Sequence, residues 1–166
     1  MQNDELRCEW RAHLEQTQAH VARLHEVFAG LGLDPKVDTP GRRVVRTLAR
    51  SLVQAMLLAL DDDGRGTAER VAAECIVLAE TKDHLNWSLL GELVKDRPGM
   101  HRRLVEAVRE IESEEDEHLY HTQGWARELW LEALGVPAQL PPPEEEPQVE
   151  SAVEAALAKE SRRGGS

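Results

Sequence analysis

The sequence contains few aromatic residues and few cysteines, and each scarcity excludes a class of protein. Only 4% of its 166 residues are Phe, Trp or Tyr, and helix-forming Ala, Leu, Glu and Arg predominate over strand formers. The two cysteines, Cys8 and Cys75, form no Cys-x-x-Cys pair, which argues against a zinc ribbon or a thioredoxin-like redox motif. Separate cysteines are typical of proteins that remain in a reducing cytosol.

Positive charge and long apolar runs are also lacking. The chain has 31 acidic residues against 20 Lys and Arg, and its net charge is -11. Binding to nucleic acid needs a basic surface, so we expect no nucleic-acid partner. No apolar run approaches the length of a membrane span, and no charged-then-apolar leader opens the chain. These features predict a cytoplasmic protein without a membrane partner, whose acidic surface could attract cations.

Apolar residues recur at helical spacing in four long segments, which predicts four helices in one domain. The predicted helices extend from about Asp4 to Ala29, from Pro40 to Leu60, from Thr67 to Lys95 and from Pro98 to Leu134. Their connections are short, which favours antiparallel neighbours. The sequence therefore predicts an all-α fold, a four-helix up-down bundle over residues 1–135.

The composition changes abruptly after Gly135. Residues 136–147 include a run of three prolines, three glutamates and a proline, which predicts a stiff, extended, acidic linker. Residues 148–166 contain an amphipathic segment that is too short to be a stable helix alone, followed by an end that we expect to be disordered. A proline- and acid-rich tail therefore follows the predicted bundle.

The fourth predicted helix carries charged residues in the middle of an apolar face. Successive steps of three and four residues give this face as Leu104, Val108, Ile111, Glu115, His118, Thr122, Trp125 and Leu129. Glu115 and His118 have the Glu-x-x-His spacing by which di-iron bundle proteins present a carboxylate and an imidazole from one helix. Of the acidic residues around them, we expect only Glu115 and Glu112 to point inward.

Two other helices also place titratable residues on inward faces. In the third, Glu80 and His84 share a side, with Asp83 adjacent, and in the first, His13 and His20 lie one heptad apart. The second helix has no such residue and is predicted to be scaffold. An unpaired buried charge costs several kcal/mol, against a total stability of about 5–15 kcal/mol, so these groups must compensate one another.

Compensation can come from Glu–His hydrogen bonds or from a divalent metal ion. Carboxylates combined with imidazoles suit iron, manganese or zinc better than calcium or magnesium. We therefore predict a metal site in which Glu80, His84, Glu115 and His118 converge near mid-bundle. His13, His20, Asp83 and Glu112 are further candidate ligands.

Three segments resemble the ferritin-like proteins of the YciF type. Residues 13–28 are similar to the family's H-L-x-E-T-x-x-H-x-x-R-L-x-x-V-F helix, and residues 82–93 resemble its K-V-E-H-Y-E-I-x-x-Y-G-T-L stretch. Glu114 and Glu115 are similar to the glutamate pair of a third family segment. The resemblance covers residues 4 to 120. It implies a ferritin-like bundle that binds iron, with a role in ferroxidase chemistry or stress response if two irons bind.

The chain departs from that family at several ligand positions. The family's first helix has no counterpart, Gln16 stands in place of one Glu, and Asp83 and Asn86 stand in place of two others. A complete four-carboxylate dinuclear site is therefore not implied.

Two alternatives to a dinuclear oxidase are open. One is a mononuclear hydrolase or transferase that uses His13, His84 and His118, and the other is a metal-free helical scaffold. The third helix is apolar on two sides, which is more surface than one small bundle covers. In every case we expect a homodimer or a higher homo-oligomer.

Overall fold

A computed structural model describes residues 3–62, 65–96 and 102–143. These residues form four helices and no strand: α1 (Asp4–Gly30), α2 (Pro40–Asp62), α3 (Arg65–Asp96) and α4 (Arg102–Ala133). The all-α prediction is therefore confirmed. The predicted start of the fourth helix at Pro98 and the whole of segment 148–166 lie outside the described residues. No described helix combines the length and the hydropathy that a membrane crossing requires.

Local signals explain where α1 begins and ends. The Asn3 side chain accepts hydrogen bonds from the backbone N–H groups of Glu5 and Leu6, which would otherwise lack acceptors in the first turn. At the other end, Gly32 adopts a φ of 68°, a conformation that costs glycine little, and the chain turns away from the helix axis there.

α1 and α3 pack antiparallel to α4, and α2 packs on α3. Arg23 lies beside Glu110, whereas Glu9 lies beside Trp125, so residue numbers rise along α4 as they fall along α1. The same reversed order holds between α3 and α4. This arrangement brings the middles of α1, α3 and α4 together.

The core consists of two apolar clusters on either side of a polar middle section. One cluster contains Val27, Trp87, Leu104, Ala107, Val108 and Ile111. The other contains Leu6, Ala73, Trp125 and Leu129. On α4, Glu115 and His118 lie between Ile111 of the first cluster and Trp125 of the second. The polar section is thus closed off by apolar packing at both ends.

α2 is the least covered helix. None of its residues from 40 to 61 is buried. Its large apolar side chains that are at least 45% exposed are Val44, Val45, Leu48, Val53, Leu57, Leu58 and Leu60. α3 exposes Leu78, Leu85 and Leu89 as well, each by 59% or more. The described part of the chain therefore presents a broad apolar surface on α2 and α3.

The described part of the predicted linker contacts the bundle. Leu140 packs against the cluster that contains Leu6 and Trp125, and the backbone N–H of Gln139 donates a hydrogen bond of 2.8 Å to Glu128 Oε2. These two contacts hold the first described residues of the predicted linker, 136–143, against the end of α4, while residues 144–147 lie outside the described part of the chain.

Candidate metal centre

Glu80 of α3 meets Glu115 and His118 of α4 in the polar middle section. One candidate ligand atom from each residue lies within 4.8 Å of the other two. Glu115 and His118 are each only 1% exposed, and His118 Nδ1 lies 3.8 Å from Glu80 Oε2. Ligand atoms that bind one ion at about 2.0–2.2 Å lie roughly 3–4 Å apart. Small side-chain movements would therefore close this group around a metal ion.

Two buried ligand atoms in this group have no hydrogen-bond partner among the described residues. They are Nδ1 of His118 and Oε2 of Glu115. The Glu115 carboxyl forms a hydrogen bond with Asp83 only when one of the two is protonated. Buried polar atoms in folded proteins are nearly always satisfied, and leaving one unsatisfied costs about 1–3 kcal/mol. A cation between them would be coordinated by both, which removes this cost.

Gln16 of α1 orients the His118 ring. His118 Nε2 lies 2.9 Å from Gln16 Oε1. With this orientation of the Gln16 amide, whose oxygen only accepts, Nε2 carries the proton and Nδ1 keeps its lone pair on the side of Glu80. Such a bond to the distal nitrogen is how proteins hold metal-binding histidines in the required tautomer.

The environment of Glu80, Glu115 and His118 disfavours the charged form of each of these side chains. Burial, together with the nearby charge of Asp83 and then that of Glu80, raises the pKa of Glu115 to about 8. Burial and Asp83 also raise the pKa of Glu80 to about 7, although His20 acts in the opposite direction. Burial and the charge of His20 lower the pKa of His118 to about 4, so its ring is neutral at pH 7. A divalent cation would stabilise both carboxylates in their ionised form.

His20 and Asp83 lie beside the three-residue group. His20 is 5% exposed, and its Nδ1 lies 2.7 Å from Glu115 Oε1 while its Nε2 lies 2.8 Å from Glu114 Oε2. Both ring nitrogens are thus engaged with carboxylates, and His20 positions Glu115. Asp83 is partly buried and close enough to raise the pKa of both Glu80 and Glu115.

His84 and Glu112, two further candidates from the sequence, do not join the group. His84 Nδ1 pairs with Asp116 Oδ1 at 2.9 Å, and the side chain is 29% exposed. Although His84 shares a side of α3 with Glu80, Asp116 offers it a partner at the rim of the interface. Glu112 of α4 packs against Gly91 of α3. The approach is so close that a Cβ atom at position 91 would lie 3.3 Å from Glu112 Oε1.

His13 belongs to a second group that the sequence analysis missed. Glu9, His13 and His121 offer ligand atoms that lie within 4.8 Å of one another. The rings of His13 and His118 are adjacent, with centroids 4.3 Å apart. Burial, His118 and His121 lower the pKa of His13 to about 4. The sequence does contain one signal for this group, because Glu9 and His13 are four residues apart and therefore lie on the same face of α1.

A cavity on the side of α2 reaches Glu80 of the first group. Its volume is about 480 Å³, and α1, α2 and α3 all contribute to its wall. Most of the lining is apolar, but Glu80 and Asp83 reach it from α3. The cavity is large enough for several water molecules, each of which occupies about 30 Å³ in the liquid. The cavity thus brings solvent-sized space to the Glu80 side of the group.

Comparison of the chain with protein-family models, with curated proteins and with solved structures gives no match.

Proposed function

We propose that this protein binds one divalent transition-metal ion between Glu80, Glu115 and His118. The observation that carries the proposal is the pair of buried, unpartnered ligand atoms, Glu115 Oε2 and His118 Nδ1, next to the Glu80 carboxylate. α4 supplies two of the ligands, Glu115 and His118, and its antiparallel neighbour α3 supplies the third, Glu80. Neutral His118 and two carboxylates would together balance the charge of a divalent ion.

Iron is the first candidate ion, with manganese and zinc as the alternatives. Mixed carboxylate and imidazole ligands suit these metals, and the ferritin-like resemblance favours iron among them. Three protein ligands leave coordination positions for water or a substrate. Oxygen-dependent Fe(II) oxidation, which the resemblance implies, needs two neighbouring irons. The three-residue group accounts for one ion, so the proposed function is metal binding itself.

We also propose that the protein acts in the cytoplasm. Cys8 is exposed and Cys75 is buried, and both are free thiols. An exposed free thiol is compatible with a reducing compartment, where disulfides rarely form. The acidic chain, with its net charge of -11, is poorly suited to binding nucleic acid.

A metal-free scaffold is the second candidate, and the contacts of His20 favour it. Its two ring nitrogens bond to Glu115 and Glu114 at 2.7 and 2.8 Å. Hydrogen bonds to charged groups contribute about 1.5–3 kcal/mol each, so His20 partly compensates the buried Glu115 carboxyl without an ion. The Oε2 atom of Glu115 gains nothing from this arrangement, which is why metal binding is preferred.

Metal titration of the purified full chain tests the proposal. Fe(II) under anaerobic conditions, Mn(II) and Zn(II) are each titrated by calorimetry, and bound metal is counted after dialysis. The variants Glu80→Gln and His118→Gln should each lose one bound ion per chain. Glu117→Gln, which changes an exposed carboxylate of the same helix, should bind as the wild type does. Equal binding by all four proteins would refute the proposed site.

A further inference from the structure

A second set of metal-type ligands lies further along the interface between α1 and α4. Glu9 Oε1 lies 4.0 Å from His13 Nε2 and 3.7 Å from His121 Nδ1. These distances are too long for hydrogen bonds, which join such atoms at about 2.7–3.2 Å. They are close to the separation of roughly 3–4 Å expected for two ligands of one ion. The three side chains therefore converge on a common point without bonding to one another.

One atom of this second set is also left unsatisfied. Glu9 Oε1, which faces both histidines, is buried and has no hydrogen-bond partner among the described residues. His13 Nδ1 is unpartnered as well, but it is not the ring nitrogen that faces Glu9. The other oxygen of Glu9, Oε2, accepts a hydrogen bond of 2.6 Å from the indole Nε1 of Trp125. Trp125 is 1% exposed and belongs to the apolar core. A rigid core residue thus holds the Glu9 carboxylate with its free oxygen turned toward the two histidines.

A cavity of about 200 Å³ adjoins this set. Glu9, His121 and Trp125 line it, and residues 141–143 contribute to its wall from the segment that follows α4. The volume accommodates an ion together with the water molecules that complete its coordination. The set also extends from the interior to the surface, since the side chains of His13, Glu9 and His121 are 12%, 27% and 41% exposed. Its outer side is therefore open to solvent.

We infer that Glu9, His13 and His121 form a second divalent-metal site, separate from the proposed function, with one carboxylate and two imidazoles. This ligand set is used by catalytic zinc sites and by non-haem Fe(II) sites, which keep open coordination positions. Zn(II) and Fe(II) are accordingly the ions that the site should prefer over Mg(II) and Ca(II), which favour oxygen ligands. The neighbouring cavity would supply the remaining ligands from water or from a small oxygen-donor molecule.

Zn(II) titration of the full chain, followed by metal analysis after dialysis, tests this inference. The wild type should bind two ions per chain, whereas Glu9→Gln and His121→Ala should each bind one. His25→Ala, which removes an exposed histidine of α1, should still bind two. Thermal melting of each metal-free variant checks that it is folded, and His121 tolerates change because its side chain is 41% exposed.

The outcomes separate the two sites. If His118→Gln loses one ion while Glu9→Gln and His121→Ala keep two, the second site is refuted and the first is supported. If His121→Ala loses an ion while His118→Gln does not, the second site stands and the proposed function fails. As an independent measurement, Zn(II) should shift the imidazole ¹⁵N resonances of His13 and His121 in long-range NMR spectra. Resonances that stay unchanged at saturating Zn(II) would overturn the inference.

Discussion

His118 Nδ1 faces Glu80 Oε2 across the interface of α3 and α4 at 3.8 Å. The separation exceeds that of a hydrogen bond, yet the His118 side chain is 2% exposed and cannot turn to solvent. An ion at about 2.1 Å from each atom would occupy this gap. The two side chains are therefore arranged better for binding a metal ion between them than for forming a hydrogen bond with each other.

Removal of metal should destabilise the protein at neutral pH. Ligand binding to the folded state alone raises its stability in proportion to the logarithm of ligand concentration over Kd. We expect the melting temperature at pH 7.5 to fall when a chelator is added to the metal-loaded chain. The difference should shrink toward pH 5, because protons compete with metal for Glu115 and Glu80, whose pKa values are about 8 and 7. Identical melting curves with and without chelator would support the scaffold alternative.

The metal-free protein should become less stable as the pH rises from 6.5 to 8.5. The pKa values of Glu80 and Glu115 are raised from 4.5 to about 7 and about 8 in the folded chain. The folded state therefore holds more protons than the unfolded state in this range, and stability declines as the pH increases. His13 and His118 have pKa values lowered from 6.5 to about 4, so they act in the opposite direction, and their effect fades above about pH 7 as the unfolded histidines lose their protons.

Melting of the chelated protein measures this pH effect. A decline of 1 kcal/mol corresponds to about 2–4 °C in a chain of this size. Glu115→Gln should flatten the profile, since a buried amide stays neutral, whereas Glu117→Gln should leave it unchanged. A melting temperature that rises over this pH range would contradict the raised pKa values.

Two tryptophans of α4 should differ sharply in their contribution to stability. Trp125 is 1% exposed and bonds to Glu9, so Trp125→Ala should cost about 3–5 kcal/mol through lost burial and a cavity. Trp130 is 36% exposed, and Arg70 lies 5.3 Å from its ring, a cation–π contact that contributes about 0.5–1 kcal/mol at the surface. Trp130→Ala should therefore cost clearly less. Urea unfolding of both variants gives the comparison.

The exposed apolar surface of α2 and α3 should drive association with a second copy. Leu78, Leu85 and Leu89 form one stripe along α3 and are 59–69% exposed. Contiguous apolar patches of this kind mark interfaces, and a two-fold axis would bury the same patch on both copies.

Light scattering at micromolar concentration tests the association. The wild type should exceed its monomer mass of 18.6 kDa, and the double variant Leu85→Glu with Leu89→Glu should return it to the monomer. Leu134→Glu, at a 70% exposed position after α4, is the matched control. A wild type that stays monomeric throughout the concentration series would rule out this interface.

Much of the fold follows from the periodicity of the sequence. Apolar spacing predicted four helices at nearly the observed positions, and it placed Glu115 and His118 on the inward face of the last one. The structure buries both to 1% exposure. A helix face can be read from sequence because 3.6 residues per turn fix each side chain's direction relative to its own axis.

Only the tertiary structure decided which faces meet and at what height. His84 lies one turn from Glu80 but pairs with Asp116 at the rim, while Glu9 and His121 come together although 112 positions in the sequence separate them. Periodicity carries no information on the axial offset or rotation between neighbouring helices. Those depend on how Trp125 and the other core side chains interlock. The sequence alone thus determined the helices and their inward faces, and packing determined the metal-type groups that these faces form.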